Sequence, residues 1–185
     1  MQNYVNEFML TDKTSVVRLA GSLRHSLVNG VGVRYVLFFQ GCPHACPGCQ
    51  NPETHDPSAG EAKDIRTVVS EILSERYLDG VTFSGGDPFF QPEAAYAIAS
   101  ALREKAPALS LWLYTGWTWE ALTTDGKLSA ARKVLPYINV LVDGRYIAEE
   151  RVSADEADAF LYRGSKNQRL IDVRASLNKG RLVLW

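Results

Sequence analysis

The chain is predicted to fold as one α/β domain built on a partial, open β/α barrel. Apolar strand segments alternate with helical segments along residues 33–142, an order typical of a parallel sheet wrapped by helices. The 185 residues suffice for a single domain, with a core at about 28–150 and a less regular C-terminal segment at 151–185. We expect about five core strands, fewer than the eight units of a closed barrel.

The first half of the chain carries two strand signals and one helix signal. A strand is predicted at Ser15 to Leu19, followed by a break at Val28 to Gly32. The segment VRYVLFF then predicts a buried strand that leads into a cysteine-containing loop. An amphipathic helix is predicted from about Ala62 to Arg76, because apolar residues recur there at three-and-four spacing: Ile65, Val68, Val69, Ile72 and Leu73.

The second half repeats the alternation of strands and helices. Pro107 and Pro136 lie just after helical segments, where helices are expected to have ended. The predicted elements, in chain order, are a strand at Val81 to Ser84, a helix at Pro92 to Lys105, a strand at Leu109 to Tyr114, short helices between Thr118 and Lys133, a strand at Ile138 to Val142, an acidic DEAD segment at Asp155 to Asp158 and a strand at Arg169 to Val173.

Composition excludes several classes of partner. With 20 basic and 21 acidic side chains the formal net charge is -1, so we expect no binding to nucleic acid or to an anionic membrane. The longest apolar run, Val33 to Phe39 interrupted by Arg34, is far shorter than the roughly 20 residues that span a bilayer. The first residues lack the pattern of a signal peptide, so we expect a cytoplasmic protein.

All three cysteines lie in the stretch QGCPHACPGCQN, from Gln40 to Asn51. An odd count of clustered thiols indicates metal or redox chemistry rather than a disulfide framework. The spacing would also fit one face of a helix, but Pro47 inside a helix costs about 3 kcal/mol, and Gly41 and Gly48 add to that cost. Cys42, Cys46 and Cys49 are therefore predicted to lie on a loop.

Three thiols this close need a cation to stay together. A free thiol with a pKa near 8.5 is only about 3% ionised at neutral pH, and neighbouring thiolates oppose one another's ionisation. Zinc and an iron–sulfur cluster are the two candidates, since both prefer thiolate ligands. His44 or His55 would complete a Cys3His zinc site. A cubane cluster held by three cysteines would instead keep one iron open for a substrate.

The spacing CxxxCxxC after a predicted strand resembles the signature of the radical S-adenosylmethionine (SAM) superfamily. The resemblance implies a partial barrel of the radical SAM type and a 4Fe–4S cluster on Cys42, Cys46 and Cys49. It also implies that the amino and carboxylate groups of SAM chelate the open iron. An electron from the cluster then breaks the sulfonium bond to give methionine and a 5'-deoxyadenosyl radical, chemistry that belongs to the cofactors.

A second loop, TFSGGDP, is predicted at the carboxyl end of the next core strand. Gly85 and Gly86 permit a close approach of backbone to a ligand, and Pro88 biases Asp87 toward an extended conformation. Glycine and aspartate also occur in ordinary turns that cap helices, so the segment alone is a weak signal. The resemblance implies that Gly85, Gly86 and Asp87 contact the amino group of SAM, with Asp87 as the acceptor.

Five segments in the same order resemble one family, the activating proteins of anaerobic ribonucleoside-triphosphate reductases: VNGVGVRYVLFFQGCPHACPGCQN, SGGDP, LYTGW, NVLVDGRY and RGSKNQ. The family implies a protein substrate, a glycine of the reductase large subunit that becomes a glycyl radical. It also implies a flavodoxin- or ferredoxin-type electron donor. Three alternatives remain: an activase of another glycyl-radical enzyme such as pyruvate formate-lyase, a radical SAM enzyme acting on a small molecule or a short peptide, and a noncatalytic zinc or iron–sulfur module.

Further positions follow from the same resemblance. Thr115, Asp143 and Arg145 are expected to bind the SAM carboxylate, its ribose or a nearby cation, although such residues are also common in turns. The family usually has an aromatic residue beside the last cysteine, whereas here the neighbours are Gly48 and Gln50. Backbone contacts from Gly48 to Gln50 are expected to hold the adenine instead. Partner contact and loop structure remain open for Arg163 and Asn167, and adenine packing and core packing for Tyr114, Trp117 and Trp119.

Overall fold

One mixed sheet of seven strands organises the computed structural model, which describes residues 15–156 and 160–185. The strand order across the sheet is β3-β1-β2-β4-β5-β6-β7. The observed class is therefore a single α/β sheet, with seven strands rather than about five. The strands are β1 Val16–Ser26, β2 Arg34–Phe39, β3 Glu61–Asp64, β4 Gly80–Gly85, β5 Ser110–Tyr114, β6 Val140–Asp143 and β7 Arg169–Asp172.

The four central strands run parallel, and the flanking strands do not. β2, β4, β5 and β6 pair in parallel, so their carboxyl ends meet at one edge of the sheet. β1 forms an antiparallel hairpin with β2 and also pairs antiparallel with β3. β7 pairs antiparallel with β6, which joins the C-terminal segment to the sheet. The predicted parallel core is confirmed for these four strands, and the sheet as a whole is mixed.

Helices follow the parallel strands at most of the predicted positions. α2 has the predicted bounds, whereas α1 begins at Ile65 and not at Ala62. The side chain of Asp64 caps α1 by accepting from Thr67 N at 3.1 Å, and residues 61–64 pair with β1 as β3. Residues 157–158 of the DEAD segment lie outside the described residues. The helices are α1 Ile65–Ser74, α2 Pro92–Lys105, α3 Trp119–Thr124, α4 Ser129–Arg132 and α5 Val173–Lys179.

The apolar core lies between the helices and one face of the sheet. Alternate residues of each strand point to this face, as in Leu37 and Phe39 of β2. The residues between them point the other way, and Phe38, Ser84 and Tyr114 line a cavity there. Along residues 15–156 and 160–185, no helix combines the length and apolar character needed to cross a membrane.

Arg34 connects the amino ends of three parallel strands. Its side chain is fully buried, and its nitrogens donate to Thr82 Oγ1 at 2.6 Å, to Val81 O at 2.7 Å and to both oxygens of Ser110. The guanidinium also lies 5.3 Å from the centre of the Trp112 ring, and burial lowers its pKa to about 10. Arg34, the charged residue that interrupts the apolar run, therefore links three strands of the sheet from a buried position.

Candidate functional site

A cavity of about 860 Å³ lies over the face of the sheet opposite the helices. The loops after β2, β4, β5 and β6 reach it, because parallel strands present their carboxyl ends at the same edge. All three cysteines line it. Its lining also includes Arg145, Arg151 and Arg163 but, within the described residues, no carboxylate. The cavity is thus a positively charged pocket with a cluster of thiols.

The cysteine loop is closed onto the segment that follows it. Gln40 anchors the start of the loop, because its Nε2 donates to Glu53 O at 3.0 Å and to Asp56 O at 2.7 Å. Gly41 N donates to Thr54 O at 2.8 Å. Gly41 has a φ of 93°, a left-handed conformation in which a side chain is strained. These contacts hold the loop in a wrapped form before any ligand binds.

The three thiols are free and half-buried within this loop. Burial raises the pKa of Cys42, and the backbone N–H of His44 partly offsets that effect by donating to it. Among residues 15–156 and 160–185, no three His, Cys, Asp or Glu side chains converge as ligands of a single metal ion. A single zinc ion would draw every sulfur to about 2.3 Å, whereas a cubane places each thiolate on a separate iron. A cubane cluster takes thiolates as its protein ligands, so the three cysteines are a donor set that fits such a cluster.

His44 lies between the first two cysteines and points into the protein. Its side chain is only 2% exposed, and its Nε2 lies 2.8 Å from Asp87 Oδ2. The ring packs edge-on against Trp117 with centroids 4.8 Å apart. Because Nε2 is already engaged, His44 is poorly suited to complete a zinc site through that atom. His55 lines the cavity, and its backbone oxygen accepts from Cys42 N at 3.3 Å.

The SGGDP loop packs directly on the cysteine loop. Gly85 has a φ of 97°, and a Cβ there would lie 2.5 Å from Phe39 N. Gly86 N donates to Phe39 O at 2.8 Å, and Asp87 N donates to Gly41 O at 2.9 Å. Both glycines line the cavity. The glycine pair thus brings bare backbone to the cavity wall while joining the two loops.

Asp87 lies behind this wall and not on it. Its carboxylate is fully buried and accepts from Phe89 N at 2.9 Å, from Thr115 Oγ1 at 2.8 Å and from Gly116 N at 3.0 Å, besides its contact with His44. It is absent from the cavity lining within the described residues. The protein thus occupies the oxygens of Asp87 in this structure, and a direct contact between Asp87 and a ligand stays a prediction.

The other predicted site residues also fall into two groups, those that line the cavity and those that lie behind its wall. Thr115, Arg145 and Gln50 line the cavity, and Gly48 packs instead near Tyr146 and Ala148. Asp143 is 1% exposed and does not reach the lining. Its carboxylate accepts from Trp119 N at 2.7 Å and from Arg169 Nε at 2.9 Å. Asp143 therefore caps α3 and forms an ion pair with Arg169 of β7, and its direct contact with a cofactor stays a prediction.

The C-terminal segment supplies the outer wall of the cavity. Arg163 lines it and lies 4.8 Å above the Phe160 ring, whereas Asn167 donates to Arg145 O at 2.9 Å and supports the neighbouring loop. Of the three aromatic residues Tyr114, Trp117 and Trp119, only Tyr114 lines the cavity. Sequence reasoning missed the part played by His44 with Asp87 and the lining residue Arg151. The position of His44 inside the cysteine motif was the one signal available for it.

Comparisons with known proteins show the family to which the chain belongs. The family model described as "4Fe-4S single cluster domain" matches residues 28–171. The chain is 35% identical over 147 residues to the "Anaerobic ribonucleoside-triphosphate reductase-activating protein" of Enterobacteria phage T4, which covers 77% of this chain and 86% of that protein. The chain belongs to this family. The residues that the family model matches include the cysteine loop, and the family is one of activating proteins with a 4Fe–4S domain.

Other relatives carry the same name. The protein of Pasteurella multocida (strain Pm70) is 36% identical over 149 residues, covering 77% of this chain and 89% of that one. The protein of Escherichia coli (strain K12) is 30% identical over 148 residues, covering 77% and 90%. Among solved structures, QueE from Escherichia coli matches 56% of this chain and 53% of its own, with 16% identity and a TM-score of 0.46.

Proposed function

We propose that this chain activates an anaerobic ribonucleotide reductase by generating a glycyl radical on its large subunit. The observation that carries the proposal is the placement of all three cysteines of a 4Fe–4S family member around one cavity, beside the bare backbone of Gly85 and Gly86. A 4Fe–4S cluster with bound SAM supplies reductive cleavage of the sulfonium bond and a carbon-centred radical that abstracts a hydrogen atom.

Cys42, Cys46 and Cys49 would each bind one iron through sulfur. The chain has three cysteines in all, so a fourth iron has no thiolate from this protein. The three cysteines line the cavity, so a ligand bound there would lie beside the cluster that they would hold. The cysteine loop is already wrapped through Gln40 and Gly41, so the protein need not reorganise it to receive the cluster.

The cavity wall would bind SAM. Gly85 and Gly86 expose backbone for its amino acid end, Thr115 and Arg145 would meet its carboxylate or ribose, and the loop segment from Gly48 to Gln50 would support the adenine. An arginine suits a carboxylate because its planar fork donates two parallel hydrogen bonds. Asp87 and Asp143 would act indirectly from behind the cavity wall, by holding the loops whose residues contact SAM.

The substrate glycine would enter from the open side of the same cavity. At about 860 Å³ the cavity lies within the range of small-molecule sites, and in this proposal a segment of a partner chain would reach the cofactor from its open side. The large subunit of the anaerobic reductase is the partner we infer, and a flavodoxin or ferredoxin would deliver the electron. In this proposal the chain is one cytoplasmic domain, and its open sheet is a partial barrel of the radical SAM type.

Electron paramagnetic resonance tests the proposal. The reconstituted chain, reduced and mixed with SAM and the large subunit of an anaerobic reductase, should produce a glycyl radical doublet on that subunit. The same mixture with pyruvate formate-lyase should give much less. A strong signal on pyruvate formate-lyase alone would identify the alternative activase, and absence of a radical from both would reject the function.

A further inference from the structure

The imidazole of His44 has one engaged nitrogen and one that is not. Nε2 lies 2.8 Å from Asp87 Oδ2, a carboxylate that also accepts from the backbone N–H groups of Phe89 and Gly116. Backbone N–H groups can only donate, and an ionised carboxylate can only accept. Nε2 therefore carries the hydrogen and donates to Asp87. In the neutral imidazole, the opposite nitrogen, Nδ1, then carries an unshared electron pair.

Within the part of the chain that the structure describes, Nδ1 is buried and has no hydrogen-bond partner. A buried acceptor without a donor costs about 1–3 kcal/mol, so such an atom in a native protein calls for a donor, whether from a ligand or from an ordered water. His44 itself is 2% exposed and lines the cavity. The orphaned atom thus belongs to a residue that forms part of the cavity wall.

The packing around the ring determines which edge is free. A Cβ on Gly116 would collide with Cδ2 and Nε2 of His44, so that edge is pressed against the loop after β5. Trp117 packs edge-on against the same ring. Nδ1 lies on the other edge, and Asp87 prevents the ring from flipping because only Nε2 can donate to it. Nδ1 is therefore held in one place.

We propose that His44 binds SAM directly, with Nδ1 accepting a hydrogen bond from its amino group. This inference rests on the proposed function and deepens it. The amino group is the donor chosen because His44 lies between Cys42 and Cys46, at the end of the cavity where the cysteines place the cluster. Asp87 then acts through His44 as a positioning residue, and the buried acceptor gains the donor that it lacks.

The variant His44→Gln tests the contribution of Nδ1 separately from that of Nε2. The amide nitrogen of glutamine reaches the position of Nε2 and keeps the bond to Asp87, but no acceptor stands at the position of Nδ1. We expect the variant to bind the same iron and sulfide as the unchanged protein, with a SAM dissociation constant about tenfold higher. His25→Gln is the matched control, because His25 is half exposed, contacts Arg76 O and does not line the cavity.

A SAM analogue without the amino group completes the cycle. It has no donor for Nδ1, so His44→Gln should not weaken its binding, and the tenfold difference should be confined to SAM itself. Equal SAM affinity in His44→Gln and the unchanged protein would overturn the inference, as would an equal loss for SAM and the analogue. If the unchanged protein binds no SAM, the proposed function fails first, which distinguishes the two failures.

Discussion

Gly86 packs so closely on Gly41 that no side chain fits between the two loops they belong to. A Cβ on Gly86 would overlap the carbonyl oxygen of Gly41 and lie 3.0 Å from Thr54 O, and both of these atoms are backbone. The same two loops are joined by the hydrogen bond from Asp87 N to Gly41 O at 2.9 Å. The position of the cysteine loop therefore depends on the absence of one methyl group.

Gly86→Ala should accordingly lower both stability and cluster binding. Backbone atoms cannot move aside as a flexible side chain can, so we expect a loss of at least about 2 kcal/mol in the free energy of unfolding. Denaturant unfolding and iron content after reconstitution measure the two effects. Gly126→Ala is the control, since nothing lies within 4 Å of a Cβ there. Unchanged iron content in Gly86→Ala would contradict the proposed link between the loops.

Each cysteine should be indispensable for the cluster. Cys46→Ala leaves two thiolates, which do not hold a stable cubane, so iron per chain should fall from about four to below one. Circular dichroism should show a folded protein, because the thiols are half-buried and make few of the loop contacts. A variant that keeps the full iron content would show that other residues are the ligands.

Arg34→Lys should destabilise the sheet. Lysine keeps the charge but loses the planar fork that reaches Thr82, Val81 and Ser110 together. A buried cation with broken partners costs about 3 kcal/mol, which thermal or denaturant unfolding would detect. Arg66→Lys, at a largely exposed residue, should change stability by less than about 0.5 kcal/mol. Equal stabilities for the two variants would refute the role of Arg34.

The alkaline behaviour of the protein should depend on Tyr114. Burial raises the pKa of its phenol, whose hydroxyl donates to Tyr162 O at 2.9 Å. A folded pKa above the unfolded value of about 10 means that the folded state holds the proton longer, so stability should fall as pH rises above about 10. Tyr114→Phe should flatten that fall by up to about 1.4 kcal/mol per pH unit. If the curves of stability against pH run parallel for Tyr114→Phe and the unchanged protein, the role assigned to Tyr114 is contradicted.

The elements predicted best were those whose apolar residues recur with one clear period. α2 was predicted with its observed bounds because Pro92 begins it, its apolar spacing is regular and Pro107 follows it. β3 was missed because residues 61–64 have no apolar alternation, and only their pairing with β1 makes them a strand. Asp64 shows the ambiguity, since it ends a strand and caps a helix at once.

The sequence predicted which loops form the site better than it predicted what each residue does there. The cysteine spacing and the glycine pair identified the loops that meet at the cavity, because the carboxyl ends of parallel strands share an edge. Nothing in the residues told whether Asp87 and Asp143 face a ligand or the interior. Their partners, His44 and Arg169, are 43 and 26 positions away, so only the three-dimensional packing determines those roles.

The most direct test of the central claim is anaerobic reconstitution of the purified chain, followed by reduction in the presence of SAM. About four irons and four sulfides should bind per chain, and 5'-deoxyadenosine and methionine should form in equal amounts. Tight binding of one zinc ion, with no cleavage of SAM after reduction, would contradict the claim and leave a noncatalytic metal module in its place.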